Sequence, residues 1–459
     1  MNSIVESPTY SVAPFTPHLE EILGRASRKN KHLFNIVGTQ STAAISMLLS
    51  QNLSLNFNNL PNLVITSSLE EAELLSDQIQ FFSPHFLPHI LKPFDVSPYS
   101  GLYPSPQVSW DRSAFIYWAQ NASAGFKNKN SDEKIHIFIA PVSALQQLTA
   151  PYFNFHKRCQ KIAASTELPS NLAEFFNSLG YQPAPIVEDK GQYSLRGGIV
   201  DIFSVAEKKP IRLELFGDQV ESLRYFSATN QLSENETSVL NLAPVYEYEL
   251  NDENLEAVVK KFRTQLENRS VPPAEKDEAL RFLTQKNLFS GSEFLLPFAY
   301  DQLATVFDHF SSELNVYVVD PVEVSRRADE FYQEIVTDFK SSQTNLFNPK
   351  PDQLYLSFDQ VKYPKDSMIF QFSNLAFMHD EALDEERIEY RSSMLSEFSQ
   401  IAFSHTAGSS EWVTATHAKL SAWQNDKYKI FISYKNQTQL DRLKGLFNIR
   451  NRYRICQRK

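Results

Sequence analysis

Alternating apolar and polar positions predict a meander of three short strands over residues 191–226, GQYSLRGGIVDIFSVAEKKPIRLELFGDQVESLRYF. The first predicted strand spans 191–203, and we interpret its Gly197-Gly198 pair as a bulge or a tight bend. The second spans 211–216 and the third 220–226, with a turn between them. Because this stretch is rich in glycine, its backbone geometry is closely specified.

The second predicted strand has one apolar face and one mixed face. Period-two alternation places Ile211, Leu213 and Leu215 on the apolar face. The mixed face combines charges with a large aromatic ring, as the anchors of protein interfaces do. The alternative is an ordinary Arg–Glu surface pair with the ring tucked under the turn. The residues of the mixed face are Arg212, Glu214 and Phe216, with Arg196 contributed by the neighbouring strand.

Elsewhere, apolar runs alternate with helical patterns, which is typical of a parallel sheet covered by helices. We predict buried strands at 33–37, 63–66, 135–140 and 316–319, and an amphipathic helix within 294–310 after Pro297. A helix is also predicted around 17–28. Leu375–Leu383, LAFMHDEAL, resembles the acidic box of a helicase, but we interpret it as a solvated acidic segment. The last ten residues are basic, and we expect a frayed end there.

From residue 33 the sequence predicts a strand, a loop and a helix, which is the arrangement that surrounds a phosphate-binding loop. The loop keeps Gly38, Thr39, Ser41 and Thr42, but no Lys or Arg occurs from residue 33 to residue 91. Such a loop needs a lysine on the phosphates and a hydroxyl on magnesium. Asp320 ends the strand at 316–319, where a motor ATPase would place Asp-Glu, but Pro321 follows it. We therefore expect a vestigial nucleotide site, with Asp320 capping the next helix instead.

Composition narrows the function classes. A chain of 459 residues predicts about three domains, and a formal net charge of −10 disfavours non-specific nucleic-acid binding. Cys159 and Cys456 have no partners at metal-ligand spacing, so neither a metal site nor a disulfide framework is predicted. No signal peptide or membrane-spanning run is evident, and we expect a cytoplasmic protein without a cofactor or a membrane partner.

The stretch GQYSLRGGIVDIFS…IRLELFGDQVESLRYF closely resembles the second domain of the bacterial transcription-repair coupling factors, the Mfd family. A related module occurs in UvrB. The resemblance implies a degenerate helicase-like (UvrB-like) parallel-sheet domain with an inserted small α+β domain, followed by a small α/β domain. The implied boundaries are 1–152 and 244–365 for the two parts of the UvrB-like domain, 153–243 for the insert and 366–459 for the third domain.

In that family the inserted domain docks onto UvrA, the damage-recognition ATPase. The positions that match its UvrA-contacting residues are Arg196, Arg212, Glu214 and Phe216. The resemblance therefore implies a docking module without catalysis, which links stalled transcription to nucleotide excision repair. The family's contacts with RNA polymerase and double-stranded DNA, and its ATP-dependent translocase, lie in domains that we expect outside this chain.

Two other functions stay open at this point. A UvrB-like, ATP-dependent DNA-loading protein would need a nucleotide site and a basic DNA channel, and the missing lysine and the acidic composition count against both. A shortened paralogue that regulates transcription through another partner is a weaker possibility.

Overall fold

The computed structural model describes residues 33–39, 41–55, 60–100, 102, 104–122, 134–249, 252–267, 272–284, 294–310, 313–342, 349–374, 385–389, 400–401, 403–406, 408–426, 428, 430–434, 436–447 and 454–457. The strands are β1 (Leu33–Val37), β2 (Asn62–Thr66), β3 (Phe86–Ile90), β4 (Ile135–Pro141), β5 (Gln160–Ala163), β6 (Gln182–Pro183), β7 (Gln192–Arg196), β8 (Ile199–Ile202), β9 (Ile211–Phe216), β10 (Gln219–Phe226), β11 (Ser233–Glu236), β12 (Val239–Leu242), β13 (Asn315–Val319), β14 (Met368–Ser373), β15 (Glu385–Glu389), β16 (Phe431–Tyr434) and β17 (Arg454–Gln457). The α-helices are α1 (Thr42–Leu55), α2 (Leu69–Phe82), α3 (Pro106–Asn121), α4 (Val142–Leu145), α5 (Tyr152–His156), α6 (Leu172–Ser178), α7 (Asp252–Glu267), α8 (Pro273–Thr284), α9 (Leu296–Ala299), α10 (Pro321–Ser341), α11 (Pro351–Leu354), α12 (Ser410–Asn425) and α13 (Gln437–Phe447).

Seven parallel strands form the larger sheet, in the order β15-β1-β14-β13-β2-β4-β3. The central strands β2 and β13 are buried along their whole length, as their continuous apolar sequences require. Alternate residues serve opposite faces: Val64 packs with residues of α1 and α2, whereas Leu63 and Ile65 pack with residues of α3 and α10. The predicted α/β architecture, a helix-covered parallel sheet, is confirmed.

The smaller sheet is mixed and has six strands, in the order β11-β10-β9-β8-β7-β6. Only its β6–β7 pair is parallel. One face of this sheet packs in a core that also contains Phe176 of α6, Tyr117 of α3 and Phe262 of α7. The six strands are thus a separate sheet on the body of the protein, as predicted for the insert, with their other face turned away from this core.

Buried polar contacts join the smaller sheet's segment to the larger domain. The Arg112 guanidinium on α3 donates from Nε to Glu247 Oε1 at 2.6 Å and from Nη1 to Gln147 Oε1 at 2.7 Å. The Arg112 side chain is completely buried and that of Glu247 nearly so. Trp118 Nε1 donates to the Ala206 carbonyl at 3.1 Å. Because a buried charge is costly without its partner, these contacts fix how the insert sits on α3.

Residues around Gly197 form a hairpin turn and not a bulge in one strand. The predicted strand 191–203 divides into β7 and β8, which pair antiparallel. Gly197 has a φ of +60°, in the left-handed region that favours glycine, and a Cβ on Gly198 would lie 3.0 Å from the Leu215 carbonyl oxygen. The meander therefore has four strands within residues 191–226, where three were predicted.

The long helix predicted within 294–310 is wrong. After Pro297, only the end of α9 and a 3₁₀ turn at Val306–His309 are helical. Ala304 pairs with Thr149 in an isolated β-bridge, and Thr305 forms a capping box with Asp308, so the chain is extended where the helix was predicted. Tertiary pairing overrides the local helical spacing.

Strand β14 lies between β1 and β13, at the centre of the larger sheet. The sequence-based division at residue 366 had placed it in the last unit, so the larger sheet continues beyond that boundary. The other proposed boundaries stay predictions. Arg454–Gln457, expected to be frayed, is strand β17 and pairs with β16, while the predicted helix at 17–28 and the segment 375–383 lie outside the described residues.

His309 is buried in a site that suits only its neutral form. Its Nδ1 lies 2.8 Å from Gln120 Nε2, so it accepts, and its Nε2 lies 2.9 Å from Thr149 Oγ1. Burial is the main cause that lowers the pKa of His309 to about 4. The unfolded chain takes up this proton near pH 6.5, so stability is complete above that pH and falls as the pH drops toward 4.

We predict that His309 contributes about 3 kcal/mol to the loss of unfolding free energy between pH 6.5 and 4. Urea unfolding at a series of pH values measures this loss. The His309→Gln variant lacks the titrating group, so its stability should depend less steeply on pH over the same interval. Equal slopes for the two proteins would contradict the assignment.

Candidate protein interface

Strand β9 presents the two faces that its sequence predicts. Ile211 and Leu213 are completely buried, whereas the Phe216 side chain is 81 % exposed. The ring stands at the end of β9, next to the turn at Gly217-Asp218. The alternative in which the ring is tucked under the turn is therefore wrong.

The strand pairing shows which residues share a face with Phe216. Directly opposed residues of neighbouring strands point to the same side, and Asp201 is opposite Arg212 while Ile199 is opposite Glu214. Ile199 is in turn opposite Arg196 on β7. We call this surface the arginine face; its residues are Arg196, Ile199, Asp201, Arg212, Glu214 and Phe216.

A single buried carboxylate holds both guanidinium groups of the arginine face. Asp201 is completely buried, and its Oδ1 accepts from Arg212 Nε at 2.7 Å while its Oδ2 accepts from Arg212 Nη2 at 3.0 Å. Arg196 Nη2 also donates to Asp201 Oδ2. The two arginines therefore lie side by side, as the sequence-based site requires.

The two arginines differ in their access to solvent. The Arg212 side chain is 17 % exposed and that of Arg196 is 49 % exposed. The guanidinium carbon of Arg212 also lies 4.9 Å from the centre of the buried Phe226 ring. The hydrogen bond to Asp201 is the largest cause that raises the pKa of Arg212, which keeps this group charged. Arg212 is thus the inner guanidinium and Arg196 the outer one.

Glu214 pairs with Arg224 and not with Arg212. Its Oε2 accepts from Arg224 Nη2 at 3.1 Å and from Ser222 Oγ at 2.8 Å, all on the same side of the sheet. Both members of this pair are partly exposed, so the pair itself contributes little to stability. Its effect is to hold a carboxylate in place beside Phe216.

Sequence reasoning missed two members of the arginine face, Asp201 and Ile199. Both lie on β8, whose residues could be assigned to a face only if Gly197-Gly198 is read as a hairpin turn. An aspartate inside the apolar run Ile199–Ile202 was the available signal. Ile199 is 37 % exposed and adds a second apolar side chain to this face, on the strand next to β9 and opposite Glu214.

The loop after β1, which the sequence predicts to be a vestigial nucleotide loop, bonds its backbone amides within the protein. The amides of Gly38 and Thr39 both donate to the Ser373 carbonyl, at 2.9 and 3.2 Å, and Thr39 Oγ1 donates to the same oxygen at 3.2 Å. These amides follow β1, where a phosphate-binding loop would direct them to phosphate oxygens. Here a carbonyl of β14 takes that place.

The other residues of the predicted vestigial site serve helix ends. Ser41 Oγ accepts from the Ala44 amide at 3.2 Å, and Thr42 begins α1. Asp320 caps α10, since its Oδ1 accepts from the Glu323 amide at 3.2 Å. The prediction that Asp320 acts as a cap is confirmed, and its carboxylate is directed to a helix terminus.

The described part of the chain shows neither a metal-binding cluster nor a membrane-spanning helix. No group of three or more His, Cys, Asp or Glu side chains in these ranges could hold a metal ion. Within the same ranges, no helix combines the length and the apolar character needed to cross a bilayer.

Comparisons with known proteins agree with this architecture. Residues 164–248, which contain the whole arginine face, match the family model of the UvrB interaction domain. The chain is 24 % identical to the transcription-repair-coupling factor of Haemophilus influenzae over 335 residues, covering 72 % of this chain and 27 % of the relative. For the factor of Myxococcus xanthus the identity is 29 %, covering 60 % and 23 %, and for that of Escherichia coli 23 %, covering 66 % and 25 %.

The chain thus spans about a quarter of the length of the curated relatives it matches. The sequence-based recognition is confirmed: this chain is similar to the transcription-repair-coupling factors, and its residues 164–248 match the UvrB interaction domain.

Proposed function

We propose that this chain is a non-catalytic docking module that binds UvrA through the arginine face, and so links stalled transcription to nucleotide excision repair. The observation that carries the proposal is Phe216, a large aromatic ring left 81 % exposed on the same face of the sheet as two arginines that a buried carboxylate holds in place. Exposed aromatic and arginine side chains on a rigid support are typical of interface anchors.

The chemistry of the arginine face favours a protein partner. Phe216 and Ile199 form an apolar end that would fill a recess on UvrA. The guanidinium groups would pair with carboxylates beside that recess, since guanidinium–carboxylate contacts are directional and strong when water is excluded. The partner would bury these side chains without any change in the backbone of the smaller sheet, because the strand pairing already fixes their positions.

The nucleotide loop supports a module without ATPase activity. The Gly38 and Thr39 amides are occupied by the Ser373 carbonyl, and the chain has no lysine or arginine from residue 33 to residue 91. A UvrB-like, ATP-dependent DNA-loading protein would need free backbone amides in this loop and a basic side chain to bind a triphosphate. These contacts count against that alternative.

We predict that Phe216→Ala and Arg212→Ala each weaken UvrA binding by roughly 1–3 kcal/mol, because each removes part of the anchor. Isothermal titration calorimetry with purified UvrA measures the affinity. Phe153→Ala is the matched control, since Phe153 lies on α5, outside the smaller sheet, and is 80 % exposed. Arg326→Ala on α10, whose side chain is 49 % exposed, is the control for the arginines.

Unchanged affinity in both Phe216→Ala and Arg212→Ala would refute the assignment of this face. An equal loss in Phe153→Ala would do the same. Thermal unfolding of Phe216→Ala should match the wild type, because this ring is exposed and contributes little to the core.

A second prediction concerns ATP. Titration with Mg-ATP at millimolar concentration should produce no binding heat. The Ser41→Lys variant, which restores a cation near the loop, should also fail to bind, because the Ser373 carbonyl still occupies the backbone amides. Tight binding by the wild type would revive the DNA-loading alternative, and binding by the lysine variant alone would show that the amides are not the obstacle.

A further inference from the structure

We propose that Asp201 and Arg212 are positioning residues, and that Arg196 is the guanidinium that meets a carboxylate on the partner. This inference rests on the proposed function and refines it. It assigns different tasks to two arginines that the sequence treats alike. The observation that supports it is an arrangement of three side chains. Asp201 is buried, Arg212 donates to both of its carboxylate oxygens, and Arg196 donates to one of them.

The inner arginine is held by several contacts within the protein. Arg212 contacts both Asp201 oxygens with two donors, and a third donor, Nη1, lies 3.4 Å from Ser233 Oγ. Its guanidinium also packs on the Phe226 ring. With these contacts made and 17 % of the side chain exposed, Arg212 has little surface left to offer a partner.

The outer arginine keeps donors for a partner. Arg196 uses Nη2 on Asp201 Oδ2, while about half of its side chain is exposed. The guanidinium group has five N–H donors in a planar fork, so a partner carboxylate could be bound at its outer edge. Because Asp201 already holds one end of the Arg196 guanidinium, binding a partner would cost little side-chain conformational entropy.

Arg212 also determines where Arg196 stands. Asp201 is completely buried, and a buried carboxylate attracts any cation that can reach it. If Arg212 were removed, Oδ1 would lose its donor and would draw Arg196 inward, away from the surface. With Arg212 in place, Oδ1 is satisfied and Arg196 stays outside. The cluster of two arginines and one aspartate carries a net charge of +1, which suits one carboxylate on the partner.

A double-mutant cycle with UvrA tests this division of tasks. Arg212→Ala should weaken binding about tenfold in the wild-type background and less than twofold when Arg196→Ala is already present, because it acts through Arg196. Arg212→Lys should not rescue binding, since an ammonium keeps the charge but cannot contact both oxygens as a fork. Equal losses in both backgrounds, or full rescue by lysine, would overturn the inference.

A second measurement needs no partner. In the isolated chain, the ¹⁵N relaxation of Arg196 Nε should report a rigid group in the wild type, and the chemical shift of this nitrogen should change in Arg212→Ala. The Asp201→Asn variant should leave Arg196 Nε mobile. An unchanged Arg196 signal in both variants would contradict the positioning roles. If instead the Arg196 signal changes in these variants while Phe216→Ala and Arg212→Ala both bind UvrA like the wild type, the proposed function fails and the positioning geometry stands.

Discussion

The arginine face depends on a charge buried under it. Asp201 has no access to solvent, so its carboxylate must be neutralised by groups of the protein itself, and the two available cations are Arg196 and Arg212. This requirement draws both guanidinium groups to one point on the sheet. The same contacts leave the outer arginine at the surface, on the face that also presents the exposed Phe216 ring. A solvated pair of arginines would have no such common position.

The rest of the fold supplies a rigid base for this face. The opposite side of the smaller sheet shares a core with helices α3, α6 and α7. The ion pair of Arg112 with Glu247, both nearly inaccessible to solvent, ties that sheet's segment to α3, and helix α3 also packs on the larger sheet. In the larger sheet, the Gly38 and Thr39 amides that follow β1 bond the end of β14 and so join these two strands.

The sequence predicts features that depend on neighbouring residues and misses those that depend on contacts between residues far apart along the chain. Strand β9 matches its prediction residue by residue, because alternation is a local signal and the strand has one buried face. The capping role of Asp320 is local in the same sense. The helix predicted within 294–310 fails because Ala304 pairs with Thr149, which lies 155 residues away along the chain. The contact of Thr39 with Ser373 spans 334 residues and leaves no local pattern at all. The position of Asp201 on the arginine face can be predicted from the sequence, but only if the glycine pair before it is interpreted as a hairpin turn.

The most direct test of the central claim is hydrogen–deuterium exchange of the chain with and without UvrA. The arginine face ends in two hairpin turns, Gly197-Gly198 and Gly217-Asp218, whose exposed backbone would be covered by a docked partner. The account predicts slower exchange in peptides that contain these turns and no change in α5, which carries the equally exposed Phe153. Protection confined to other parts of the chain, with both turns exchanging as they do alone, would contradict it.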